Sequence, residues 1–264
     1  MQSSPPTIFV DSLLKGSSVT FKDSMFFTHN GPGATFPSAD QVRVKSEAGD
    51  HVLDRKNTVI FESLGLVVKF GKEPCVTVAE GQCLWWLRRH LPSVPLVEGV
   101  TLEKIWESLN KEDKTGICDQ LRDMVVDLRQ VKRDSNDEFL GQINREPLQD
   151  VVFADAIRPR AGAFSSLKEF HDWFSFLFKR LAASGSHWEG YELKDIPDPY
   201  RQLLQDDPGV VFTHADLHQS NIMVSEGGPC RVVAIIDWHQ SGWYPDYWEF
   251  YKAEYTNHWE SEWV

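Results

Sequence analysis

The sequence predicts an α+β chain of two lobes, a small strand-rich one followed by a mainly helical one. Three observations carry this. Before about residue 75 the apolar runs are short and β-branched, as in NTVIF and LVVKF. After about residue 100, apolar residues recur at three- and four-residue spacing over long stretches, the period of a helix with one buried face. Between Val210 and Trp238, short apolar runs alternate with polar turns, as paired strands do. The chain therefore divides into an irregular lead-in over 1–37, an N-terminal lobe over 38–97 and a helical C-terminal lobe over 98–264, with a pocket expected between the lobes.

Taken in order, residues 1–37 carry scattered Ser, Gly and Pro without a sustained period, as in HNGPGATFP. Ser38 with Gln41 fits a capping box and opens a short helix to about Ala48. Val52 to Phe61 and Leu66 to Phe70 read as strands around the turn Glu62-Ser63-Leu64-Gly65. Lys69 sits in the second of these apolar strands, so its amine must either reach solvent or meet an anion. Thr77 with Glu80 forms another capping box, opening a helix to about His90 with Ala79, Cys83, Leu87 and Leu91 on one face. Glu80 has two readings, a cap for the helix start or a partner that reaches Lys69.

Pro92 and Pro95 punctuate the exit from that helix. A helical pattern resumes over Thr101 to Leu109 and continues from Lys111 to Lys132, with Ile117, Leu121, Val125 and Leu128 on its inner face. Residues 133–164 are loop-rich. Ser166 to Leu181 reads as a helix with Leu167, Phe170, Phe174, Leu177 and Leu181 along one stripe, and its aromatic density reads as core. A short helix is expected near Pro199 to Gln205 and another over Asp246 to Tyr255.

The 264 residues carry a net charge of −12, which argues against non-specific binding to nucleic acid or an anionic membrane. Cys75, Cys83, Cys118 and Cys230 form no CxxC pair and read as reduced, buried thiols. The start MQSSPPTIFV lacks the charged and apolar regions of a signal peptide, and no run approaches the ~18 apolar residues of a membrane span. The expectation is a soluble, cytoplasmic protein.

The densest chemistry lies between Val211 and Trp238, where His214, Asp216, His218, Asn221 and Asp237 cluster. Val210 to Thr213 reads as a strand entering a loop. Asn221 to Val224 and Arg231 to Ile236 read as a hairpin around Glu226-Gly227-Gly228-Pro229. Opposed residues of antiparallel strands lie roughly 5 Å apart at Cα, so Asn221 and Asp237 are expected to face each other and share one hard cation. Asp216 enters the same pocket from the loop.

His214-Ala215-Asp216 followed by Asn221 matches the catalytic-loop pattern H-x-D-x-x-x-x-N, and Ile236-Asp237-Trp238 sits where kinases carry a metal-binding Asp. With HADLHQSN, IIDW and GWYPDYWEF in this order, the chain resembles the aminoglycoside phosphotransferase and choline-kinase-like family, which has a protein-kinase-like fold. Within it the chain is most similar to uncharacterised fungal phosphotransferase-like members, over roughly residues 38–260. The resemblance implies a phosphotransferase that uses ATP and Mg²⁺ on a hydroxyl of a small molecule. It implies that Asp216 orients the acceptor hydroxyl and that Asn221 and Asp237 hold Mg²⁺. Lys69 would contact the nucleotide phosphates, with Glu80 fixing it. His214 is expected to hold the loop by hydrogen bonds, and His218 stands where protein kinases usually have Lys. Trp238 and Ala215, in place of the Phe and Arg of protein kinases, argue against a protein substrate.

Two departures from the family pattern accompany the resemblance. No G-x-G-x-x-G precedes Lys69, which leaves the nucleotide loop without a signature, somewhere around Gly49 to Asn57. The connection from His90 to Thr101 is only LPSVPLVEGV, where two strands and a hinge need about 20 residues or more. The pattern resumes at Glu98 to Leu102, as though a segment near Pro95 to Val97 were missing. An N-terminal lobe shortened to about three strands, with impaired adenine binding, is therefore expected, and a pseudokinase-like binding protein or shortened gene product is the alternative. A third reading is a metallohydrolase with His214, Asp216, His218 and His239 as ligands.

Overall fold

Thr7–Ile8 (β1) opens the chain by pairing in parallel with Lys132–Arg133, far along the sequence. In the computed structural model the described residues are 5–16, 18–48, 57–73, 76–91, 99–153, 160–183, 192–225 and 229–256. They fall into two compact units, Met1–Leu13 with Ala79–Val264, and Leu14–Val78. Helices and strands both contribute, as the sequence predicts.

In Leu14–Val78, the helix Met25–Asn30 (α1) buries Phe26 and Phe27, and Phe36 stacks on Phe26 at 4.5 Å between ring centres. Asn30 Nδ2 donates to the carbonyls of Phe26 and Leu64, each at 2.9 Å, tying α1 to the turn that follows the next strand. Ala39–Glu47 (α2) starts at the expected capping box: the Ser38 N–H reaches Gln41 Oε1 at 2.8 Å, and the Gln41 N–H reaches Ser38 Oγ at 3.3 Å. Thr58–Phe61 (β2) and Leu66–Lys69 (β3) pair antiparallel, with Thr58 opposite Lys69. Their turn closes on Gly65 at φ 55°, a left-handed position that glycine takes without steric cost. The lead-in is therefore not irregular throughout: β1 and α1 lie within it. Among the described residues this unit has one two-stranded sheet, where about three strands were expected. Residues 52–56 of the first expected strand, and 49–56 of the expected nucleotide loop, lie outside the described residues.

Val78–His90 (α3) buries Ala79, Cys83 and Leu87, with Leu91 beyond its end, the face expected from the spacing, and adds Trp86. Full burial of a leucine such as Leu87 stabilises the fold by roughly 1.5–3 kcal/mol. The segment near Pro95 to Val97, on which the shortening rests, lies outside the described residues. Val100–Thr101 is a strand (β4), where a helix from Thr101 was expected; helix follows only over Leu102–Ile105 (α4). Backbone pairing overrides helical periodicity here. Gly99 lies so close to the Val224 carbonyl that a Cβ would overlap it, and glycine lets the chain lie flat along the neighbouring strand.

Lys111–Gln130 (α5) is capped by Asn110, whose Oδ1 accepts the Asp113 N–H at 2.9 Å, and buries Ile117, Leu121, Met124 and Leu128. Lys132–Arg133 (β5) follows, and a loop-rich stretch leads to Leu167–Ala183 (α6). The helix expected near Pro199 to Gln205 is a single 3-10 turn over Arg201–Leu203. Val210–Thr213 (β6), Ile222–Val224 (β7) and Val232–Ile235 (β8) are the three expected strands, and Gly242–Pro245 (β9) is one the sequence did not predict. β4, β7 and β8 form an antiparallel sheet, and β6 pairs antiparallel with β9. The Val232 N–H donates to Gln120 Oε1 at 3.0 Å, holding the hairpin to α5. Trp248–Thr256 (α7) follows β9.

One buried cluster joins α3, α5 and the hairpin, and another joins α6, β9 and α7. Of the cysteines, Cys83 is buried, Cys118 exposed and Cys230 half-buried, all three free thiols, which corrects the expectation that all are buried; Cys75 lies outside the described residues. Among the described residues no helix is long and apolar enough to cross a membrane.

Candidate active site

The site is built where β6 ends and the β7–β8 hairpin opens. β6 delivers His214, Ala215 and Asp216 in succession, and Ala215 takes φ 65°, a left-handed conformation that costs an alanine about 1–2 kcal/mol. The cost is offset by a buried carboxylate. Glu249 on α7 accepts the His214 N–H at 2.8 Å and the Ala215 N–H at 3.1 Å, and each such hydrogen bond stabilises by about 0.5–1.5 kcal/mol. The kink is thus held in place.

His214 is fully buried and closes the loop onto the hairpin. Its Nδ1 accepts the Asp216 N–H at 3.2 Å, so Nε2 carries the ring proton and donates to the Ile236 carbonyl at 3.0 Å. Both ring nitrogens are committed to the backbone. Burial lowers the imidazole from 6.5 to about 4, which keeps it neutral. Trp238 stands edge-on to this ring at 4.5 Å and donates its indole N–H to the Ile235 carbonyl at 2.8 Å.

Asp216 and Asn221, five residues apart, are brought into direct contact. Asn221 Nδ2 donates to the Asp216 carbonyl at 2.8 Å and to Asp216 Oδ2 at 2.9 Å. Both partners are acceptors, which fixes the amide orientation with Nδ2 toward Asp216. Asp216 is half-buried, and its Oδ1 accepts no hydrogen bond from a described residue. Asn221 is 1% exposed. His218 Nδ1 lies 3.0 Å from Ser220 Oγ and accepts the Ser220 N–H at 3.3 Å, capping the 3-10 turn that carries Asn221.

The hairpin register differs from expectation. Ile222 pairs with Ile235, and the Ile236 N–H donates to the Asn221 carbonyl at 2.9 Å, so Asn221 stands opposite Ile236 and Asp237 lies one residue further on. Asp237 leaves the strand in the left-handed conformation, φ 67°, which turns it out of the hairpin plane. Its Oδ1 lies 2.7 Å from His239 Nδ1. Lys69 is the last residue of β3 and half-buried; Glu80 lies in the first turn of α3 and is buried. They belong to different compact units. The four ligands of the metallohydrolase reading are not gathered: His214 is spent on the backbone, and no group of three or more His, Cys, Asp or Glu among the described residues is arranged to hold a metal ion.

Glu249 went unread in the sequence because a glutamate in a terminal helix ordinarily faces solvent. Its neighbours gave no consistent signal: Trp248 is buried, whereas Phe250 is 57% exposed. Burial pushes its carboxyl from 4.5 up to about 7, against the pull of the Ala215 and His214 N–H groups. A raised carboxyl favours the fold fully below its ordinary value, and that contribution is lost as pH rises through about 7. Glu249→Gln is expected to cost about 1–3 kcal/mol, because its amide NH₂ meets a backbone donor. The advantage of the natural protein over this variant should shrink between about pH 4.5 and pH 7 in urea titrations. An advantage that grows over that range would mean that the N–H bonds outweigh burial. The His214 imidazole works oppositely, its contribution being present above 6.5 and lost as pH falls through about 4, and it is common to both proteins.

The model of the phosphotransferase enzyme family matches residues 76–263, a span that includes Glu80, the Asp216 loop, the hairpin and α7, whereas Lys69 precedes it. No curated protein and no solved structure matches the chain.

Proposed function

The chain belongs to the phosphotransferase enzyme family, and from that premise we propose that it transfers the γ-phosphate of ATP to a hydroxyl of a small molecule, with Mg²⁺ as cofactor. The observation that carries this is the Asp216–Asn221 pair, a carboxylate and an amide locked together at 2.9 Å on a loop held by Glu249 and Ile236.

In this reading the acceptor hydroxyl docks against Asp216 Oδ1, which orients its oxygen for in-line attack and takes its proton as the new P–O bond forms and the bond to the ADP oxygen breaks. Oδ2 stays engaged by Asn221, so the carboxylate cannot rotate away. Asn221 Oδ1 and the Asp237 carboxylate are hard oxygen donors and fit Mg²⁺, which takes few protein ligands and fills its remaining positions with water and phosphate. An ion held by these two residues would neutralise charge on the phosphate oxygens. Glu80 and Lys69 are assigned to the nucleotide side on the resemblance described above. Neutral His214 acts through the loop and not as a base, since neither ring nitrogen faces a substrate.

The test is a thermal shift with ATP and Mg²⁺ against Mg²⁺ alone. A competent nucleotide site is stabilised by about 2.7 kcal/mol at 100-fold excess over Kd, a shift of several degrees. No shift at millimolar ATP would remove ATP as the donor.

A further inference from the structure

Asp237 opens into the 3-10 turn Trp238–Gln240, and two residues of that turn are committed to the core. Trp238 is fully buried, with its indole N–H on the Ile235 carbonyl. Gln240 is buried as well: its Oε1 takes the Val151 N–H at 2.8 Å, and its carbonyl takes the Tyr244 hydroxyl at 2.9 Å. Ser241 closes the turn, its N–H and its hydroxyl both donating to the Trp238 carbonyl, at 3.0 and 2.6 Å. His239 between them is the exception. Its side chain is 24% exposed, and its ring turns back to the Asp237 carboxylate, with Nδ1 at 2.7 Å from Oδ1. Among the described residues the ring makes no other hydrogen bond.

Asp237 itself departs from what an aspartate does at such a place. It stands just before the turn, where a carboxylate ordinarily accepts an N–H of the turn it starts, yet its side chain takes no such bond. Its backbone is left-handed at φ 67°, a conformation kept only where the surroundings enforce it. The pinned turn does so. What the backbone does not fix is the rotation of the carboxylate about Cβ–Cγ, a broad torsion with little preference of its own. The His239 ring supplies that constraint. An ionised carboxylate only accepts, so Nδ1 is the donor and carries a ring proton.

On the phosphotransferase reading given above, we infer that His239 is a positioning residue for the cation site. Its Nδ1–H holds one oxygen of Asp237 and so fixes the plane in which the carboxylate meets a divalent cation shared with Asn221. The ring stands behind the ligand and is not one itself. Hydrogen bonds to a ligating carboxylate tune the affinity for the ion, and losing one typically costs about 10- to 100-fold. The geometry also says which replacement works. Asparagine carries its amide nitrogen on Cγ, where histidine carries Nδ1, and can give the same bond; leucine keeps bulk at the position and gives none.

The test needs no turnover. Mn²⁺, which shares the preference of Mg²⁺ for oxygen ligands, is titrated into the full chain with the β,γ-imido analogue of ATP and followed by electron paramagnetic resonance, with the analogue alone as the blank. The natural chain is expected to hold the ion more tightly than the blank. His239→Leu should weaken that binding by about 10- to 100-fold with circular dichroism unchanged, and His239→Asn should recover most of the loss. In turnover, His239→Leu should raise the Mg²⁺ concentration for half-maximal rate by the same factor and alter the rate at saturating Mg²⁺ far less. Equally tight binding by the natural chain and His239→Leu would overturn the inference and leave Asp237 in its role. So would His239→Asn binding no better than His239→Leu, or a nitrogen coupling to Mn²⁺ that disappears in His239→Leu, which would put the ring on the ion. A natural chain that holds Mn²⁺ no better than the blank would instead remove the cation site, and this inference with it.

Discussion

Lys252→Met is expected to destabilise the protein by about 3–5 kcal/mol, the usual consequence of removing one partner of a buried ion pair. Asp150 is fully buried and accepts from Lys252 Nζ at 2.9 Å, the Trp248 indole N–H at 2.9 Å and the Val152 N–H at 2.8 Å. Without the ammonium its charge stays in the core with only neutral donors. Lys252 also reaches Gln240 Oε1 at 3.4 Å, and that oxygen takes the Val151 N–H at 2.8 Å, so the network joins α7 to the turn just after Asp237. Pairing the change with Asp150→Leu should not restore stability, because the Trp248 and Val152 donors would then be buried without acceptors. Urea unfolding should show a lower midpoint at unchanged slope. A loss below about 1 kcal/mol, the range of a surface pair, would show that the network is not the anchor of α7.

The second large effect concerns chemistry. Asp216→Asn is expected to lower turnover by about 10²- to 10⁴-fold, the contribution of a positioned acid or base, with ATP affinity retained. Asparagine keeps the shape of the side chain, and its Oδ1 can still accept from Asn221 Nδ2, so the loop should persist. What it cannot do is take the acceptor's proton. A variant with natural turnover would remove Asp216 from its assigned role, whereas a variant that also lost ATP affinity would show that the change had disturbed the loop itself.

How far the sequence reaches depends on how local each cause is. The Ser38–Gln41 capping box and the buried face of α3 were legible because both are fixed by residues within one or two turns. The hairpin was legible from its strands, but its register was misplaced by one residue, since the left-handed turn at Asp237 leaves the ladder before that residue can pair. β9 was not legible: it is Gly-Trp-Tyr-Pro, punctuation in local terms, and becomes a strand only by pairing with β6. The same holds for β1, whose partner β5 lies over a hundred residues away. Of the candidate site, the closeness of Asp216 and Asn221 was legible from their spacing on one loop. Their supports were not, because Glu249, Asp150 and Lys252 act through burial, which no spacing encodes.

The central claim is that the Asp216 loop and the Asn221–Asp237 hairpin form a phosphoryl-transfer centre. Its most direct test incubates the natural chain and Asp216→Asn with Mg²⁺ and ATP labelled at the γ-phosphate, over a panel of aminoglycosides, choline, sugars and amino alcohols. Products are then read by mass spectrometry. A phosphomonoester formed by the natural chain and absent with a variant that still binds ATP is the predicted result; the same phosphomonoester at the same rate from both proteins would contradict it.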